Sequence, residues 1–328
     1  MRIVFFGSDA IALPALEYLH WAEGYELAGV ISQPDRPAGR GRHLHRNPVA
    51  TWAQAKGIEL LQPEKAGAEE VSWLRTHNID LALVMAYGQI LRRELLDAVP
   101  RGMWNLHGSL LPMYRGASPV ETALALGDTV TGVSLMQMVE KMDAGPVVAM
   151  VHVPIRNNDT SPILRERMAH ACVPLLTRHL PKLADGTAVL TPQDEAKVTY
   201  ARKLVKADAQ VDFTISAVAL ERRVRALQPW PGVAIEHEGQ SLKVGTASAI
   251  AGKPTEAPGT VLHAGADGVD VTTSDGILRL LSLQRPGGRM LEVGEFLRGY
   301  KLTPGVVLAS HSVPPLVSPK PFPRTAFF

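Results

Sequence analysis

Arg2-Ile3-Val4-Phe5-Phe6-Gly7-Ser8-Asp9 decides the fold. Four apolar residues in a row stop at a glycine, too short a run for a helix and rich enough in β-branched and aromatic side chains for a buried strand. Gly7-Ser8-Asp9 then supplies a turn, with a hydroxyl and a carboxylate to cap a helix over about residues 10–21. A second strand is expected at 26–32, another at 80–86 (DLALVMA), a short one at 103–107, and two more at 130–139 and 147–154. Helices fall between them near 48–56, 69–77 and 118–126, and a long amphipathic one covers about 162–184. Strands alternating with helices predict an α/β fold, a Rossmann-like, doubly wound and mainly parallel sheet.

Past residue 185 the pattern changes. No period is sustained over 185–206, which reads as a linker at 191–206. Beyond it come a helix at about 215–227 and five short β-rich runs separated by Gly and Pro. These predict a smaller β-barrel, OB-like in character. The expected organisation is a catalytic domain at 1–190, a linker at 191–206, a β-barrel domain at 207–310 and a poorly ordered tail at 311–328, which holds five prolines.

A chain of 328 residues with 46% hydrophobic and 20% charged content is an ordinary folded composition. A net charge of +2 exerts no strong global pull on nucleic acid or membrane. The single cysteine, Cys172, excludes an internal disulfide and a multi-thiolate metal site within one chain. No secretory leader is visible, and no run approaches the roughly 18 apolar residues of a membrane span. A cytoplasmic location is expected.

The chemistry concentrates in Asn105-Leu106-His107-Gly108-Ser109-Leu110-Leu111-Pro112. Asn105 and His107 are two apart on a strand, so they share a face, and strand ends of an α/β sheet open onto a crevice. Asp143 follows in the turn-like Met142-Asp143-Ala144-Gly145-Pro146. Amide, imidazole and carboxylate suit addition to a carbonyl better than metal binding. Taken alone, the same residues could equally cap a turn at a strand end.

Other motifs are negative. Gly7-Ser8-Asp9-Ala10-Ile11-Ala12 lacks the later glycines of G-x-G-x-x-G, and no P-loop occurs. His43 and His45 have no acidic or thiol companions, so no metal is expected. In contrast, Gln33-Pro34-Asp35-Arg36-Pro37-Ala38-Gly39-Arg40-Gly41-Arg42 is a cationic loop that its prolines and glycines should keep irregular; it suits a phosphate backbone or simply water. The chain from residue 207 on holds 12 Lys and Arg against 11 Asp and Glu, so its arginine clusters (Arg222, Arg223, Arg225; Arg285, Arg289) are either local phosphate contacts or solvated faces.

Together these segments resemble the methionyl-tRNA formyltransferases, within the wider group of folate-dependent formyltransferases. The resemblance rests on the arginine loop at 33–42, on Ala86-Tyr87-Gly88-Gln89-Ile90-Leu91, and on 105–112 followed by Tyr114-Arg115-Gly116-Ala117-Ser118-Pro119. It extends through Thr131-Gly132-Val133-Ser134-Leu135-Met136-Gln137-Met138, Gln193-Asp194-Glu195, Thr199-Tyr200-Ala201, and Gln228-Pro229-Trp230-Pro231. One departure is Gly7-Ser8-Asp9-Ala10-Ile11-Ala12, where the family has G-T-P-x-F-A. The resemblance implies transfer of a formyl group from 10-formyltetrahydrofolate to the α-amine of initiator methionyl-tRNA by a monomer, without metal or membrane.

It also implies roles. Asn105 and His107 would face the developing oxyanion, where one preorganised donor is worth roughly 3–4 kcal/mol. Asp143 would favour the imidazolium of His107 and accept the amine's proton. Ser109, Leu110, Leu111 and Pro112, with Gln89, Ile90, Leu91 and Val139, would bind the folate. Arg36, Arg40 and Arg42 would bind tRNA. Two competing classes remain: an enzyme acting on another small amine, and a non-enzymatic nucleic-acid-binding protein. The acid–imidazole–amide set argues against the second, and the arginine loop with its extra domain against the first.

Overall fold

A computed structural model describes residues 1–38 and 43–323. It divides into two compact units: one holds Met1–Gly116, Val130–Pro154 and Arg165–Thr199, the other Ala117–Thr129, Ile155–Leu164 and Tyr200–Phe328.

In the first unit seven strands form one sheet: β1 Arg2–Gly7, β2 Glu26–Ile31, β3 Leu60–Leu61, β4 Leu81–Met85, β5 Met103–His107, β6 Val130–Gln137 and β7 Val147–Pro154. Their order is β7-β6-β5-β4-β1-β2-β3. β1 pairs in parallel with β2 and β4, β2 with β3 and β4 with β5, whereas β6 runs antiparallel to both β5 and β7. All five residues of β4 and five of six in β1 are buried, as strands covered on both faces must be. The chain order reverses direction across the sheet at the β1/β4 pair, the kind of switch point outside which α/β sheets commonly bind ligands.

Local sequence explains the helices. Asn47 caps Pro48–Lys56 by accepting from the Ala50 amide, Pro48 sits in its first turn, and Gly57 closes it at φ 68°. Asp9 caps a 3-10 turn at Ala10–Ala12 that leads into Leu13–Trp21, in place of the single helix expected there. Leu74 on Ala68–Thr76 is fully buried among Val4, Phe6, Ile31 and Val84. Each such side chain contributes about 1.5–3 kcal/mol.

In the second unit β8 Val233–His237, β9 Gln240–Ile250, β10 Val261–Gly265, β11 Gly268–Thr272 and β12 Ile277–Gln284 form an antiparallel sheet in the order β8-β9-β12-β11-β10. Helix Ala217–Ala226 packs on β9 and β12 and against helix Pro119–Leu126.

Three expectations change. Arg36–Ala38 and His43–His45 pair as a short antiparallel ribbon, because Pro37 needs no ladder partner on its nitrogen when only two strands are present. The presumed linker is built into structure: Thr191 bridges Val147 through both backbone groups, while Tyr200–Ala201 pairs with Val317–Ser318. The tail up to residue 323 is held down, since Leu316 is buried and the Arg202 guanidinium donates to the carbonyls of Pro314 and Pro315. Among the described residues, no helix is long and apolar enough to cross a membrane.

Candidate active site

β5 ends in Asn105-Leu106-His107, in register with Met136, Leu135 and Ser134 of β6. Alternation along the strand sends Leu106 to one side and the two polar residues to the other. His107 is only 6% exposed. Its Nε2 donates to the Tyr114 carbonyl at 2.9 Å, and because a carbonyl only accepts, that nitrogen carries hydrogen. Nδ1 therefore is the nitrogen left for proton exchange, and it faces Asp143 Oδ2 at 3.6 Å.

Asp143 sits at φ 48°, a left-handed conformation that Asp tolerates better than most residues. Its Oδ2 accepts from the Gly116 amide at 2.8 Å, and its Oδ1 lies 3.5 Å from the Asn105 amide nitrogen. Amide, imidazole and carboxylate converge as the spacing of the first two suggested. Two residues later, a Cβ on Gly145 would run into the Gln137 carbonyl, so only glycine lets the loop return to β6.

The remaining expected residues divide by burial. Ser109 donates its hydroxyl to the Met113 carbonyl at 2.6 Å, and Ser134 Oγ accepts from the Leu111 amide while donating to the Ser109 carbonyl. Leu111 joins Met136 and Val147 in a small apolar cluster. These contacts set the course of Ser109–Leu110–Leu111–Pro112. Leu91 is buried in the main core. Gln89 spends its side chain on the Pro63 carbonyl and the Ala66 amide. Ile90 and Val139 stand in solvent, 70% and 39% exposed.

Of the expected tRNA-contacting arginines, Arg36 is exposed but already paired with Glu64 at 2.5 Å; Arg40 and Arg42 lie outside the described residues. In the second unit, two of the clustered arginines are engaged by the protein itself. Arg223 is buried and donates to the Asp208 carbonyl, and Arg225 pairs with Glu221 and reaches the Asp159 carbonyl. Arg223 is therefore neither a solvated face nor a phosphate contact, while Arg225 is partly buried in its ion pair.

Arg115, Gln193 and Glu195 were quoted only for resemblance, yet they brace the site. Arg115 is fully buried and donates to Gln193 Oε1 through Nε and Nη2, and to Glu195 through Nη2. The Arg115 guanidinium, and then the Lys141 ammonium, hold the Glu195 carboxyl down at about 2. Among the described residues, no cluster of three or more His, Cys, Asp or Glu could hold a metal ion.

Comparison with known proteins is consistent across its parts. Residues 1–180 match a family model described as formyl transferase, and residues 203–301 match one described as formyl transferase, C-terminal domain. A methionyl-tRNA formyltransferase of Halorhodospira halophila is 44% identical over 93% of this chain and 98% of its own. One from Ralstonia nicotianae is 41% identical over 95% and 99%. Among solved structures, an N-formyltransferase from Helicobacter canadensis in complex with folinic acid and dTDP-3-aminofucose has a TM-score of 0.66 at 15% identity, covering 87% of this chain and 100% of that one. That last likeness bears on the fold.

Proposed function

Because the chain belongs to the methionyl-tRNA formyltransferase family, we propose that it moves a formyl group from 10-formyltetrahydrofolate to the α-amine of initiator methionyl-tRNA, as a cytoplasmic monomer. The observation that carries this reading is the convergence of Asn105 Nδ2 and His107 Nδ1 on the two oxygens of one carboxylate, Asp143. Folate is a substrate here, the formyl donor. Ile90 and Val139 offer it exposed apolar surface, and a flat ring laid on them removes that surface from water. The backbone of Ser109–Leu110–Leu111–Pro112 supplies polar groups alongside.

In this reading the amine's lone pair forms the new C–N bond while the formyl oxygen takes up negative charge. Asn105 Nδ2–H and His107 Nδ1–H are the donors that meet that charge. His107 Nε2 stays on the Tyr114 carbonyl throughout, so the ring keeps its orientation. Collapse returns the electron pair to the carbonyl and expels the folate nitrogen, which takes a proton from His107 Nδ1. The new ammonium group loses its extra proton to Asp143, directly or through water, and Asp143 in turn re-protonates Nδ1. Atoms and charge balance without a metal. The arginines of the 33–42 loop then engage tRNA phosphates, which makes affinity fall steeply with salt.

The test is an assay with labelled 10-formyltetrahydrofolate and charged initiator tRNA. Formylmethionyl-tRNA is the expected product. Formate without formylmethionine, or no turnover, overturns the reading.

A further inference from the structure

Gln193, Glu195 and Thr199 come from a segment that looked like a tether, and each makes a contact leading to the site. The Gln193 amide nitrogen donates to the carbonyls of Asp143 and Gly145, both at 2.8 Å. Its oxygen is occupied twice by Arg115, at 3.1 and 2.8 Å, so the carboxamide cannot turn over without losing every bond it makes. Arg115 is itself fully buried, and the next residue, Gly116, holds the Asp143 carboxylate. Asp143 is thus gripped at its main chain and at its side chain by groups that Arg115 links.

The same segment reaches the imidazole. Thr199 Oγ1 accepts from the Tyr114 amide at 2.9 Å, and the Thr199 carbonyl accepts from the Arg115 amide at 2.8 Å. Tyr114 carries the carbonyl that anchors His107 Nε2. Glu195 adds a tie from Arg115 to Lys141, two residues before Asp143. Asp143 also adopts a left-handed backbone conformation, which persists only where its surroundings impose it.

We propose that residues 193–199 form a splint that sets the His107–Asp143 separation, with Gln193 as a positioning residue for Asp143. This rests on the formyl-transfer reading for its rate consequence, and on geometry alone for the separation. Gln193→Met fills the same space and deletes all four bonds of the carboxamide. The expected result is a kcat lowered about 10- to 100-fold, as a displacement near 1 Å produces. KM for both substrates stays close to wild type, and the pH profile of kcat moves.

A structural role alone would lower the melting temperature and leave the pH profile in place. Wild-type kcat and pH profile in Gln193→Met, or a change confined to KM, overturns the proposal. Should that variant fail to fold, Glu195→Gln, at a half-exposed residue, must show a smaller kcat loss with a pH shift in the same direction; wild-type behaviour there also overturns it. Titration of the His107 ring followed by ¹⁵N NMR, without substrates, separates the two readings. A midpoint moved in Gln193→Met supports the splint whatever the acceptor, and an unmoved one counts against it. Absence of transfer by the unmutated chain counts only against the proposed function.

Discussion

Replacing Asp143 by asparagine separates what the carboxylate does for the fold from what it does for the reaction. Asn is isosteric and its oxygen can still accept from the Gly116 amide, which lies 2.8 Å from Oδ2. What is lost there is the charge assistance of one hydrogen bond, about 1 kcal/mol. Against a typical total of about 5–15 kcal/mol, nearly all molecules remain folded. The reaction fares differently. The second oxygen becomes an NH2 facing Asn105 Nδ2, and no group at 3.6 Å from His107 Nδ1 can take a proton. General acid–base catalysis is worth roughly 10²- to 10⁴-fold, so the barrier should rise by about 3–5 kcal/mol. Single-turnover formyl transfer at saturating donor and tRNA, run beside calorimetric melting, reads both quantities. A folded Asp143→Asn enzyme within tenfold of wild-type kcat refutes the role given to the carboxylate.

Two further outcomes concern the scaffold. Arg202 and Asp208, 5% and 0% exposed, form a two-pronged ion pair in the second unit. Arg202→Met leaves a buried carboxylate without its cation and should cost about 3–5 kcal/mol in urea unfolding; a loss under about 1 kcal/mol contradicts the pairing. For Glu195, the folded carboxyl is held at about 2 against an ordinary 4.5, so its stabilising contribution is complete above pH 4.5 and disappears as pH falls through 2. Glu195→Gln should therefore lower the melting temperature at every pH above 4.5, with the difference from wild type shrinking to nothing as pH falls to 2.

The parts of this protein legible in its sequence are those with a period. Arg2–Gly7 and Leu81–Met85 announce themselves because burial on both faces demands uninterrupted apolar residues. Asn105 and His107 are legible as a pair because a strand repeats every two residues. Asp143 carries no such periodic signal; it stands out only as an acid in a turn further along, and its role comes from the resemblance. The brace behind it was silent for a different reason. Gln193 and Glu195 have the side chains of an ordinary polar loop, and nothing local marks Arg115 as buried. Arg223 misled in the same way, since a run of arginines looks solvated until one of them turns inward to the Asp208 carbonyl. Contacts between residues about eighty positions apart leave no local pattern to read.

The assignment of Ala117–Thr129 to the same compact unit as the C-terminal sheet has a consequence in time. Helix Pro119–Leu126 buries six of its eight residues, and it packs on helix Ala217–Ala226. The first of these is made 100 residues before the second, counting from Leu126 to Ala226. At synthesis rates of about 5–20 residues per second, an apolar helix waits roughly 5–20 s on the ribosome without its partner. During that interval the half-made chain exposes a surface that the finished enzyme hides. The nascent protein is then open to aggregation or to capture by a chaperone, and a chain cut after residue 206 would keep that exposure permanently.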